Sequence, residues 1–289
     1  MAWCAKAIYG LKQSPRAWYA KISSVLEMEG FHRSNANSAL FVHNGISGKL
    51  VVLIYVDDLI ITCDNAFEIE ALKASLHQTF AIKDLRKLKY FLGIEMETSR
   101  RGLFLNQQKY VMDLLKEAEF TNCKPVATPI DNKLKLTIDG EALKNVTYYH
   151  RLVGKLIYLT FTRLYITFAV SLVNQFMHAP TVEHLNIVKM IICYLKGSID
   201  QGILMRNNHS IEIHAYIDAD WAGNAIDRKS TTSYCTFVRG NIVTWKSKKQ
   251  EVIARSSAKA KYRAMAATAY VFTKALSSAH FQRLQGKLG

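Results

Sequence analysis

The sequence predicts a mixed α/β fold of the α+β kind. Apolar runs with strand character arrive in hairpin-like pairs. Between them lie stretches whose apolar residues recur at helical spacing. Scale agrees: 289 residues, 49% apolar and 21% charged, suffice for two ordinary domains and describe a globular chain.

"GLKQSPRAWYAKISSVLEMEG" reads as a turn and then a helix. Ser14 suits the cap, Pro15 the first helical position and Gly30 the end, with Trp18, Ile22, Val25 and Leu26 on one face. "ALFVHNGISGKLVVLIYVDDLIITC" reads as three strands, turning near Asn44-Gly45 and again at the aspartates. "AFEIEALKASLHQTF" is helical, its apolar face assigned to Phe67, Leu72, Leu76 and Phe80. "LKYFLGIEMETSRRGLFLNQ" is a hairpin around Arg101-Gly102, and "QKYVMDLLKEAEF" is a further helix.

From Thr121 to Lys144 the periodicity dissolves among Pro125, Pro129 and Gly140, which marks a linker. Residues 146–196 are helix-rich, with Pro180 at a helix start. Strands return in "IEIHAYIDADWAG". "TSYCTFVRGNIVTWK" is a hairpin turning at Gly240-Asn241, and "SSAKAKYRAMAATAY" is a helix capped by Ser256 or Ser257.

Lys and Arg number 38 against 23 Asp and Glu, a net +15 spread from Lys6 to Lys287. Such an excess favours a polyanionic partner, nucleic acid first; the plain alternative is a soluble protein that is merely basic. Cys4, Cys63, Cys123, Cys193 and Cys235 form no CxxC pair, so neither a zinc knuckle nor a disulfide framework is indicated. Reduced, mostly buried thiols inside a cell are expected. None of the nine His residues forms a metal-type pair. The first twenty residues lack the apolar core of a signal peptide, and no apolar run approaches bilayer length, so an intracellular protein is expected.

In "LVVLIYVDDLIITC", Asp57 and Asp58 interrupt two apolar runs. Adjacent strand residues point to opposite faces, so both carboxylates serve one place only where the backbone turns. Two close carboxylates repel unless a cation holds them, and Mg²⁺ is the natural one. The alternative is a polar turn with solvated acids.

"YVDD" on a hairpin after "YGLKQSPRAWY" resembles the reverse transcriptases of Ty1/copia-type retrotransposons. The resemblance continues through "YFLGIEM", "GLFLNQQKYVMDLL", "CKPVATPID", "YHRLVGKLIYLTFTR", "QFMHAP", "DADWAG", "RKSTTSY" and "TWKSKKQEVIARSSA". It implies a polymerase palm with the aspartate hairpin at its active site (residues 1–130), a linker with helical thumb and connection (131–208), and a ribonuclease H-like domain (209–289). It implies that Asp57 is a Mg²⁺ ligand with Asp58 beside it, and that Gln13, Ser14 and Arg16 seat nucleotide and template. It implies that Asp218, followed by Asp220, is a metal ligand of the ribonuclease H part. The partners implied are RNA, DNA or their hybrid.

The departures from the family are specific. Its first polymerase carboxylate lies on a strand upstream of "YGLKQ", and here none of the eight residues before Tyr9 is Asp or Glu. Where the family reads "SSAEAEY" this chain reads "SSAKAKY", so Lys259 and Lys261 replace acids, and an ammonium at the catalytic Glu position repels Mg²⁺. "RAMAATA" runs directly into "YVFTKAL", without the segment that holds the family's remaining acids. Leu164 and Tyr165 replace the usual Pro-Asp after Arg163.

The expectation is a truncated, internally deleted polyprotein piece, inactive by itself. Two rivals stand beside it: a non-enzymatic nucleic-acid binder and a chain without a stable fold. Lys246, Lys248, Lys249 and Arg255 form one basic cluster; Arg16, Lys21, Arg86, Lys87 and Lys89 lie near the palm segments. Phosphate contacts of this kind need no exact geometry. Trp18 and Trp245 are candidates for base stacking, although core packing is the ordinary role of each.

Overall fold

The computed structural model describes residues 13–45, 48–131, 136–208 and 212–274. The chain divides into two compact units, one comprising Met1–Leu88 with Phe272–Gly289 and the other Lys89–Val271. Helices and three antiparallel sheets give the α+β class expected.

In the first unit, helix α1 spans Ser14–Met28. Ser14 is its first helical residue and not its cap: Gln13 holds the cap position and makes no side-chain capping bond. The helix ends as the glycine foretold. Gly30 takes φ +82°, its N–H reaches Glu27 O and the Phe31 N–H reaches Leu26 O, both at 3.0–3.1 Å. This doubly bonded C-cap satisfies the last carbonyls and brings buried Phe31 against buried Leu26.

The first sheet has the order β1 (His32–Arg33), β2 (Leu40–Gly45), β3 (Gly48–Tyr55), β4 (Asp58–Thr62). Only the short β1 was not foreseen; two residues carry no alternation signal. Asn44 and Gly45, expected to make the first turn, still belong to β2, paired with Lys49 and Gly48; residues 46–47 lie outside the described residues. On β3, Leu50, Val52 and Ile54 are buried, and Phe41, Val52 and Ile61 stand in one cross-strand row. Helix α2, Ala66–Thr79, completes the core with Leu72 and Leu76. The expected place of Phe67 on that face is wrong: it is 86% exposed. Ile69, Leu72 and Leu76 are spaced three and four apart, as a helical stripe requires, whereas Phe67 and Leu72 are five apart.

The second unit begins with a sheet of β5 (Tyr90–Phe91), β6 (Ile94–Ser99), β7 (Gly102–Asn106) and β8 (Gly202–Met205). The β6–β7 hairpin was expected; β8 was not. It pairs with β7 from about a hundred residues downstream, Leu103 opposite Met205 and Asn106 opposite Gly202. Helices α3 (Gln108–Glu117), α4 (Val146–Leu159), α5 (Thr167–Asn174) and α6 (Val182–Lys196) pack around the larger core, which includes Leu114, Tyr149, Leu152, Leu156, Val173, Val188 and Ile191. A 3₁₀ turn, Leu164–Ile166, precedes α5. No helix or strand ladder forms among the described residues of 121–144.

Helix α6 starts at a capping box in which His184 stands where an acid or amide is usual. The Thr181 side chain accepts the His184 N–H, and the Thr181 N–H donates to His184 Nδ1 at 3.0 Å. The ring is buried and stacks on Phe176 at 3.8 Å. Burial holds its pKa below 6.5, against the opposing pull of a Thr137 backbone bond and the Glu183 charge. The folded protein therefore resists a proton that the unfolded chain takes up near 6.5, so this stability is complete above that value and is lost as pH falls through the lower folded value. Melting curves at neutral and mildly acidic pH should show a larger acid-induced fall in Tm for wild type than for His184→Asn, whose amide oxygen keeps an acceptor without titrating. Equal slopes would contradict it.

The third sheet has the order β11 (Asn241–Lys249), β10 (Thr231–Val238), β9 (Ile213–Ala219). Its hairpin turns at Arg239-Gly240, one residue before the expected Gly240-Asn241. Both turn residues take positive φ, 53° and 71°, and Asn241 already pairs with Val238. This two-residue turn matches the twist of the strands it joins. Helix α7, Ser257–Lys274, runs without a break across the "RAMAATA"/"YVFTK" junction. Ser256 caps it, accepting from the Lys259 N–H at 3.2 Å. It packs on the sheet through a small cluster of Ala219, Ala254, Ala260 and Ala264.

Candidate functional site

The aspartate hairpin is built by β3 and β4, which pair from Val51–Thr62 up to Tyr55–Asp58. Only Val56 and Asp57 remain for the turn, so Asp58 is already the first residue of β4 and not a turn residue. Val56 takes φ +51° with Asp57 outside the positive-φ region, a pattern in which glycine is usual at the first position. A branched side chain there is strained by about 1–2 kcal/mol.

Register fixes where the carboxylates stand. Ile54 and Leu59 face the helices, so Tyr55 and Asp58 face the opposite side. Asp57 occupies the tip, and both carboxylates are exposed. Gln13 and Arg16 are also exposed and Ser14 is half-buried, all three at the start of α1. Trp18 lies further along α1, half-buried and edge-on to Phe80 at 5.0 Å, so packing accounts for it.

Asp218 belongs to the second unit, on β9. It stands opposite Ser233, which stands opposite Ser247, so the three share one face of the sheet. Ala219, on the other face, meets α7. Asp218 therefore faces away from the helix that carries Lys259 and Lys261. It borders a cavity of about 350 Å³ whose walls include Tyr165, Phe168, Tyr216 and Trp245. The Trp245 indole N–H is tied to Thr160 O at 2.8 Å. Asp220 is engaged locally, accepting the Thr231 N–H at 2.6 Å.

The basic strand splits in the same way. Lys246 and Lys248 are exposed on one face of β11. Lys249 is on the other, where its ammonium bonds Asp227 at 2.9 Å. That bond and Lys229 hold the Asp227 carboxyl below the usual range although burial opposes them.

A two-metal phosphoryl-transfer centre needs carboxylates converging on ions roughly 3.5–4 Å apart. Among the described residues no group of three His, Cys, Asp or Glu side chains converges. Asp57 and Asp58 on an open tip do not fit such a Mg²⁺ pair by themselves. The cavity wall and the Lys249–Asp227 pair were not anticipated; strand parity over 213–219 and 241–249 was the signal available, but only once the pairing partners were known.

The aspartate hairpin lies within a stretch of reverse-transcriptase type. Residues 2–132 match the family described as reverse transcriptase (RNA-dependent DNA polymerase). The chain is 41% identical to the retrovirus-related Pol polyprotein from transposon RE2 of Arabidopsis thaliana, over 91% of this chain and 18% of that protein. It is 39% identical to an uncharacterized mitochondrial protein of the same plant, over 78% of this chain and 93% of that one. It is 30% identical to a putative transposon Ty5-1 protein of Saccharomyces cerevisiae, over 88% of this chain and 84% of that one. The chain belongs to the Pol polyproteins of copia-type retrotransposons, and it spans under a fifth of the length of the Arabidopsis transposon polyprotein it matches. No solved structure matches it. No helix among the described residues is long and apolar enough to cross a membrane.

Proposed function

We propose that this chain, taken by itself, is a catalytically silent segment of a copia-type Pol polyprotein. Residues 1–130 form a partial polymerase palm, 131–208 a linker with helical thumb and connection, and 209–289 a reduced ribonuclease H-like domain. The ancestral reactions are Mg²⁺-dependent nucleotidyl transfer to a primer 3′ end and RNA cleavage in hybrids. Asp57 and Asp58 are the retained part of the first site and Asp218 of the second; Gln13, Ser14 and Arg16 are the retained nucleotide and template contacts.

The supporting observation is the isolation of the aspartate pair on its exposed tip, with no third acid converging on it among the described residues. Lys259 and Lys261 on α7 are exposed where the resemblance implies acids, and Asp218 faces away from that helix, so the two elements do not bring carboxylates together. A misplacement of about 1 Å in such a centre already costs on the order of a hundredfold in rate.

RNA, DNA or their hybrid is the partner this reading implies. Lys246 and Lys248, exposed on one strand face, and the net charge of +15 favour salt-sensitive phosphate contact. The test is primer extension on an RNA template with Mg²⁺ or Mn²⁺, with hybrid binding followed in parallel. No incorporation above the protein-free blank is expected, together with hybrid binding that weakens as salt rises. Clear incorporation that disappears in Asp57→Ala would overturn the proposal of silence.

A further inference from the structure

We propose that Cys123 and Cys193 form a reversible disulfide site that fastens the segment after α3 to helix α6. Nothing in the polymerase or ribonuclease H reading uses these residues. They are seventy positions apart, so no spacing rule pairs them, and the fold alone brings them together.

Three contacts place the segment. The Cys193 thiol has the Cys123 thiol as its side-chain neighbour. Three residues after Cys193, the Lys196 ammonium donates to Cys123 O at 2.7 Å. One residue further, a Cβ added to Gly197 would lie 3.2 Å from Pro125 Cβ. Residues 123–125 therefore run along the end of α6, and the thiol contact is part of a packed seam. Both cysteines are half-buried, as are Cys63 and Cys235. That corrects the expectation of mostly buried thiols and leaves this seam open to a small reagent.

The chemistry needs an oxidant, and a low-molecular-weight disulfide supplies it. Burial and the neighbouring Cys123 thiol push the Cys193 thiol up, although Lys196 pulls the other way. Cys123 attacks the small disulfide as its thiolate. A Cys123–small-thiol bond forms, the reagent's S–S bond breaks, and one small thiol leaves. Cys193 then attacks the Cys123 sulfur, the Cys123–Cys193 bond forms, and the second small thiol leaves. The protein gives up two protons and two electrons, and the reagent is reduced to two thiols.

The experiment treats the folded chain with oxidised glutathione, unfolds it, alkylates the remaining thiols and maps the peptides. Five alkylatable cysteines should fall to three, with one linked peptide pair containing Cys123 and Cys193 that separates on reduction. Cys193→Ser should carry glutathione on Cys123 and no link. Oxidised wild type should melt above reduced wild type, a readout that does not depend on the variants folding. Glutathione left on both cysteines without a link, a link to Cys63 or Cys235, or a link that forms only in urea would each overturn the proposal.

Discussion

Arg163→Ala should lower stability by about 3–5 kcal/mol, the largest effect expected of any single side chain here. The guanidinium is completely buried. Nη1 donates to Ser198 O at 2.6 Å and to the Tyr165 hydroxyl at 3.0 Å, and Nη2 donates to Ile199 O at 2.6 Å. Those carbonyls lie just beyond the C-terminus of α6, where a cation is favoured by the helix dipole. Arg163 thus ties the end of α4 to the bend that leads into β8. Alanine strands the buried Ser198 carbonyl and the part-buried Ile199 carbonyl in a pocket shaped for a large planar ion, and both costs fall on one substitution. Arg163→Lys keeps the charge but cannot bond both carbonyls in the same plane, so it should recover only part of the loss. Urea unfolding followed by circular dichroism measures both. A midpoint for the alanine variant within about 1 kcal/mol of wild type would mean that the bonds do not carry this weight.

Gly102→Ala should cost roughly 2–4 kcal/mol, although it adds a single methyl group. Gly102 opens β7 at φ +133°, a conformation that side chains rarely adopt. An added Cβ would lie 2.1 Å from Met205 O and 3.0 Å from Arg206 Cα. Both are main-chain atoms, so no rotamer change relieves the clash and β8 itself must move from β7. The control is Gly154→Ala in the middle of α4, where an added Cβ meets nothing within 4 Å. That change should be neutral or stabilising by up to about 1 kcal/mol, because alanine loses less backbone freedom than glycine on entering a helix. Equal effects at the two glycines would contradict the steric account.

These two positions show where reading the chain as a string reaches its limit. Gly102 was legible as a hairpin residue, but its partner across the sheet was not. Residues 202–205 are four residues long and show no alternation that singles them out as a strand. Arg163 was noticed only as the residue before an altered Leu164-Tyr165 pair. Its burial depends on the bend after α6 arriving from thirty-five residues away. In α2, spacing alone could have chosen Ile69 over Phe67, so that error was one of counting and not of missing information.

The sequence by itself determined the class of the fold, the principal helices, the aspartate hairpin and the family. Those follow from periodicity within a dozen residues, from turn chemistry at Gly30 and from motif strings that need no partner to be read. Only the tertiary structure decided that Asp58 begins β4, that Asp218 faces away from α7, that Lys249 is spent on Asp227 and that Cys123 meets Cys193. Each of these depends on which strand or helix lies alongside, and a one-residue change in pairing reverses the face a side chain takes. Local patterns fix what an element is; long-range pairing fixes what its side chains meet.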